Sequence, residues 1–122
     1  MYFPVSGWFA AFVVTLAVEL PIAGYLLRRA GLDLLRLGLL IVFANLVTHP
    51  IVWFVIPQFV LVDTTTYTVA AETWAIAAEA LFYWVAIQGL SARWALTVAI
   101  VANAASFLAG RLISQLWPEL FR

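Results

Sequence analysis

Four long apolar runs follow one another along the chain, separated by three short polar breaks. The first extends from Val5 to Leu27 and stops at Arg28-Arg29. The second runs from Leu34 to Leu61, the third from Tyr67 to Gln88 and the fourth from Ala92 to Leu116. A helix needs about 20 residues to cross the hydrocarbon core of a bilayer, and each run meets that length. The breaks carry helix punctuation. Gly31 suits a helix C-terminus and Asp33 an N-cap. Asp63-Thr64-Thr65-Thr66 is a polar turn, Gly89-Leu90-Ser91 a tight turn with Ser91 as cap, and Pro118 closes the fourth run. Pro50 and Pro57 lie inside the second run, and each removes a helical hydrogen bond, which predicts a kink near His49-Pro50. The pattern predicts an all-α chain: a single transmembrane domain over 1–122, with four helices near 5–27, 34–61, 67–88 and 92–116. No internal repeat stands out.

Composition sharpens this reading. Apolar residues make up 66% of the chain and charged residues 10%, against about 45–50% and about 25% in soluble domains. Too few polar residues remain to cover a water-facing surface, so the predicted solvent is the lipid bilayer. Met1-Tyr2-Phe3-Pro4 has no basic residue, and the apolar run after it is too long for the core of a secretory signal, so the first helix is read as retained.

Arginine placement predicts orientation. Arg28, Arg29 and Arg36 sit in the first connection and Arg93 at the edge of the third, while the second connection has none. This outweighs Arg111 and Arg122 near the C-terminus and predicts both termini outside. Trp8, Trp94 and Trp117 then fall at span ends, and Trp53, Trp74 and Trp84 lie deeper.

The charges exclude several functions. Six basic residues balance six acidic ones, so nucleic-acid binding has no electrostatic support. The basic residues are all arginine, which excludes a lysine Schiff base or nucleophile. The absence of cysteine excludes disulfides, thiolate metal sites and thiol catalysis. The single histidine excludes a multi-histidine metal site within one copy. No motif names a reaction, and no cofactor follows from the residues.

The candidate chemistry lies near the middle of the four runs, where Glu19, Asn45, His49, Glu79 and Asn103 fall at similar depth. An ionisable group at that depth must face protein or water rather than lipid. These five residues are the candidate substrate- or ion-binding set. Asn45 and Asn103 suit interhelical hydrogen bonds, and Thr48 and Ser106 suit bonds to their own backbone. His49, ahead of Pro50, is suited either to a carbonyl freed by the kink or to a functional role. Glu19 and Glu79 carry more weight, because glutamine would give similar hydrogen bonds without the ionisation penalty. Ala102, Ser106, Gly110 and Ser114 recur every fourth residue and permit close helix approach. Glu72 and Arg111 fall at one outer depth and are expected to form a structural ion pair.

Three chemistries fit the central set. Carboxyl and imidazole groups out of water can carry protons, and carboxylate and amide oxygens suit hard cations. Glu19, His49 and Glu79 could form a metal set, although Glu-x-x-His and His-Glu-x-x-His motifs are absent. His49 among Trp53, Phe54, Trp74 and Trp84 could serve a haem or pigment. The expected function is proton- or cation-linked transport of a small solute or ion. The alternative is a non-catalytic subunit of a larger membrane complex, with a membrane metal, haem or pigment protein or enzyme third. The expected partners are the lipid bilayer and either further copies of the chain or other membrane subunits.

Overall fold

The computed structural model describes residues 5–122, so the Met1–Pro4 stretch lies outside it. Among the described residues the chain is all-α, with no strand. Four long helices are present: α1 (Val5–Leu27), α2 (Leu34–Pro50), α3 (Thr65–Ala86) and α4 (Ala92–Leu116). Three segments are long and apolar enough to cross a membrane: Val5–Ala30, Leu34–Gln58 and Ala92–Leu116. α3, with 22 residues, has comparable length but places Glu72, Glu79 and several threonines among its apolar side chains.

The helix starts follow from local chemistry. The Asp33 carboxylate accepts the Arg36 amide at 2.8 Å, the Thr64 hydroxyl accepts the Tyr67 amide at 3.2 Å, and the Ser91 hydroxyl accepts the Trp94 amide at 3.1 Å. Each oxygen satisfies one of the amides that a first helical turn leaves free. Gly31 and Gly89 adopt φ of 73° and 84°, the left-handed conformation that reverses the chain between helices.

The second run breaks where the kink near His49-Pro50 is expected, and its helical turns stop at Gln58, short of the expected end at Leu61. Regular α-helix ends at Pro50, followed by a π turn over Ile51–Val55 and a 3-10 turn over Ile56–Gln58. Pro50 has no amide hydrogen to donate to the Leu46 carbonyl one turn back, and the ladder slips, the Ile51 amide reaching the Thr48 carbonyl instead. Two side chains of α3 donate to carbonyls of this stretch: Trp74 Nε1 to the Thr48 carbonyl at 3.3 Å and the Tyr67 hydroxyl to the Val52 carbonyl at 2.9 Å. His49 does not fill this role.

The helices form a ring in which α1 packs on α2 and α4, and α3 packs on the same two. The surface outside the ring is apolar, with Phe9, Phe43, Leu81, Val85 and Leu108 exposed. Inside, many buried positions are alanine, including Ala44, Ala71, Ala95, Ala99 and Ala102, which lets the backbones approach. One end of the ring carries Arg28, Arg29, Arg36 and Arg93, all exposed. Beneath this arginine end lies a dry core that includes Ala23, Leu27, Leu37, Ile41, Tyr83 and Val98. Arg28 stacks on the Tyr25 ring at 3.7 Å, and Trp94 Nε1 donates to the Leu26 carbonyl at 2.9 Å.

At the opposite end, the chain after α4 turns back as a 3-10 turn over Pro118–Phe121 and lies against the start of α1. The Ser6 hydroxyl donates to the Arg122 carbonyl at 3.2 Å. A Cβ on Gly7 would stand 2.5 Å from the Phe121 carbonyl oxygen, closer than two such atoms can approach. Gly7→Val is therefore expected to displace this turn, lowering stability by about 1–3 kcal/mol as overpacking does. Gly24→Ala, whose added Cβ would meet nothing nearer than an Ile41 methyl at 4.0 Å, should not lower the unfolding midpoint, since alanine is also the better helix former. Thermal unfolding in detergent, with carboxypeptidase digestion reporting release of the C-terminal turn, checks both outcomes.

Candidate functional site

Glu19 on α1 and Glu79 on α3 are almost completely buried, at 0% and 1% exposure. Each carboxyl is held by two donors. Asn45 Nδ2 donates to Glu19 Oε2 at 2.9 Å and the Ser106 hydroxyl to Glu19 Oε1 at 2.8 Å. Asn103 Nδ2 donates to Glu79 Oε2 at 2.7 Å and the Thr48 hydroxyl to Glu79 Oε1 at 3.2 Å. The amide comes from the helix that follows each glutamate in sequence, and the hydroxyl comes from the other helix pair. All four helices are thereby clasped at one level.

The same side chains close the circuit through the backbone. The two asparagines use their remaining amide hydrogens on Ile41 and Ala99 carbonyls one turn back, at 3.0 and 2.9 Å. Thr48 Oγ1 also lies 3.4 Å from the Asn45 carbonyl, and Ser106 Oγ 3.1 Å from the Asn103 carbonyl. The expectation that these hydroxyls serve their own backbone is half the account, since each has a second acceptor in a carboxyl on another helix.

This ring has internal two-fold symmetry, which corrects the expectation that the chain has no repeat. Gly31-Leu32-Asp33 and Gly89-Leu90-Ser91 stand at equal distances before Asn45 and Asn103, and Thr48 and Ser106 follow each asparagine at equal spacing. Leu37, Ile41 and Ala44 on α2 answer Ala95, Ala99 and Ala102 on α4 in that register, and all six are buried. Glu19, Ala23 and Leu27 on α1 likewise answer Glu79, Tyr83 and Ile87. The α1–α2 and α3–α4 hairpins are two copies of one design. The first is longer by two residues between its glutamate and its glycine, where the 3-10 turn Arg28–Ala30 lies.

A cavity of about 300 Å³ opens between the helices on the side away from the arginine end. Glu79, Asn45, Thr48, Asn103 and Ser106 line it at the level of the ring, and Glu72, Arg111 and Ser114 line it farther out. Glu79 thus faces the cavity directly, and Glu19 meets it only through Asn45 and Ser106. Val52 and Trp53 of the π turn also line it, so the slip in α2 widens the space beside the ring.

His49 lines this cavity but stands apart from both carboxyls. Its Nε2 lies 3.3 Å from the Thr15 hydroxyl, its ring is stacked with Trp53 at 6.3 Å and edge-on to Phe12 at 5.5 Å, and its Nδ1 is buried without a partner. The set Glu19, His49 and Glu79 is not brought together. Among the described residues no three His, Cys, Asp or Glu side chains converge to hold a metal. The reason is helical phase: Asn45 and Thr48 point into the ring, and the next residue points past it.

The expected ion pair between Glu72 and Arg111 also does not form. Among the described residues the salt bridge present is Arg36–Asp33, at 3.6 Å on the surface. Glu72, half-buried, and Arg111, exposed, both line the cavity without forming a salt bridge. The residue that sequence reasoning passed over is Tyr83, fully buried one turn beyond Glu79, with its hydroxyl unpartnered. Its equivalence with Ala23 in the repeat is the signal that could have marked it.

Comparison with protein-family models, curated proteins and solved structures finds no match. The site is therefore read from its own chemistry. Asn103→Leu removes the donor to Glu79 Oε2, and a buried acceptor left without its partner costs about 1–3 kcal/mol. The double change Glu79→Leu with Asn103→Leu, which removes donor and acceptor together, is expected to cost less than the sum of the single changes. Unfolding of the detergent-solubilised variants measures this. Additive losses would mean that the two side chains do not support each other.

Proposed function

We propose that the chain is an integral membrane bundle of four crossings that links proton movement to the passage of a small solute or ion. The observation that carries this reading is the pair of buried carboxyls beside a one-ended cavity, held by hydrogen bonds that suit both protonation states. In the ionised state the Thr48 hydroxyl donates to Glu79 Oε1. When a proton arrives on that oxygen, the new O–H can donate to Thr48 Oγ1, and the threonine proton can turn to the Asn45 carbonyl. Ser106 offers the same exchange to Glu19 through the Asn103 carbonyl. Neither state strands a polar atom, so a proton can enter and leave without breaking the clasp. A fixed structural contact has no need of this property.

The membrane setting is supported by the apolar exterior, by three helices of crossing length and by the way α3 turns Glu72 and Glu79 toward the cavity instead of outward. On this reading both termini and the cavity face outside, and the arginine end faces the cytoplasm. A cysteine introduced at Thr65 should react with an impermeant thiol reagent from outside, and one at Gly31 only from the cytoplasmic side. The reverse pattern would invert the orientation.

A second reading, a non-catalytic subunit of a larger membrane complex, is favoured by one observation. Every carboxyl oxygen of the ring already has a donor within the chain, as a purely structural clasp requires. Glu79→Gln separates the two. It preserves size and hydrogen bonding but removes the exchangeable proton. The transport reading expects an unchanged unfolding midpoint and at least a tenfold loss of proton-driven flux in proteoliposomes. The subunit reading expects no flux in the unmodified protein and a silent substitution.

A further inference from the structure

The outer half of the cavity holds two opposite charges that the ring does not use. Glu72 on α3, half-buried, and Arg111 on α4, exposed at the edge, line the same space, and among the described residues neither side chain has a hydrogen-bond or ion-pair partner. They belong to adjacent, closely packed helices, so an ion pair is the arrangement that sequence alone predicts. Both side chains border the cavity instead.

We propose that Glu72 and Arg111 are the two poles of a binding site for a small zwitterion bearing an ammonium and a carboxylate, the solute whose passage the carboxyl ring drives. This inference rests on the transport reading for its biological meaning, but the site itself can be tested without transport. The charge pattern selects the ligand class. A ligand that is only cationic leaves Arg111 opposing it, and one that is only anionic meets Glu72 and the Glu79 carboxyl beyond it. A ligand with both charges uses the ammonium against Glu72 and the carboxylate against the Arg111 guanidinium, which can take a carboxylate in a two-pronged bond.

Cavity size sets the scale. Small-molecule sites begin at about 300 Å³, and this cavity stands at that limit, so the ligand is of amino-acid size rather than a lipid or a drug-sized molecule. Trp53, Phe107 and Phe121 contribute apolar wall, which suits an apolar or aromatic side group. The ring lies deeper in the same space, so an occupant of the outer site stands between Glu79 and the mouth. Protonation of Glu79 and occupancy of the outer site are thereby placed in series.

The test uses the full chain in nanodiscs and three probes of nearly one shape: phenylalanine, phenethylamine, which lacks the carboxylate, and 3-phenylpropionate, which lacks the ammonium. Calorimetric titration should show phenylalanine binding at least tenfold more tightly than either single-charge probe. Glu72→Gln should erase the advantage over 3-phenylpropionate, and Arg111→Gln the advantage over phenethylamine, each without a change in unfolding midpoint. Equal binding of phenethylamine would make this a cation site, and equal binding of 3-phenylpropionate an anion site. Either result overturns the proposal, as does failure of phenylalanine, alanine and glycine to bind the folded, unmodified protein. The comparison among probes on the unmodified chain needs no variant to fold. Zwitterion binding without flux would sink the transport reading and leave this site standing. Proton-driven flux without zwitterion preference would do the opposite.

Discussion

A carboxyl group removed from water must find hydrogen-bond donors, and two of them inside a narrow apolar bundle must find several at one level. The fold can be derived from that demand. Glu19 and Glu79 sit on helices that are not direct neighbours, so no single partner helix can serve both by one kind of contact. α2 and α4 each supply an amide to one carboxyl and a hydroxyl to the other. The two asparagines can do this because their second amide hydrogen is already satisfied one turn back along their own helices. The alanines flanking the ring bring the backbones near enough for side chains this short to reach. Larger residues there would hold the donors away from the carboxyls.

The two halves of the bundle then have different characters. Toward the arginine end, Leu27, Leu37, Ile41 and Val98 fill the space among the helices and leave the Tyr83 hydroxyl sealed among them. Toward the other end, Pro50 and the π turn widen the space, and the wall becomes mixed. The carboxyl ring is the boundary. A proton or solute entering from the wide half meets the ring directly, whereas the dry half offers it no polar foothold except that one phenol.

Much of the helical plan was legible in the sequence because its signals are local. Asp33, Thr64 and Ser91 stand where first-turn amides need an oxygen, and Gly31 and Gly89 where the chain needs a positive φ. The depth of the polar residues was also legible, since axial rise follows directly from residue number. What depth does not give is the direction in which a side chain points around its helix. For this reason depth alone pairs Glu72 with Arg111, which line a cavity without meeting, and groups His49 with carboxyls it does not reach. Thr48 and Ser106 read as bonded to their own backbone because nothing local shows that a second acceptor lies across the bundle. The repeat was hidden because only inward positions retain it. The outward residues answer to lipid-like surroundings that any apolar side chain satisfies, so the resemblance is diluted to a few scattered identities.

The repeat carries a lesson about origin. A unit of two helices returns the chain to the end where it began, so a tandem copy of such a unit inherits the same orientation without rearrangement. One hairpin by itself offers its glutamate an amide but no hydroxyl, and its own hydroxyl has no carboxyl to address. Two identical hairpins side by side would supply each other's missing bond. An ancestor encoding a single hairpin could therefore have closed the same ring as a pair of separate chains. Fusion of the two would then have freed the copies to diverge, leaving one glutamate facing the cavity and the other behind the ring.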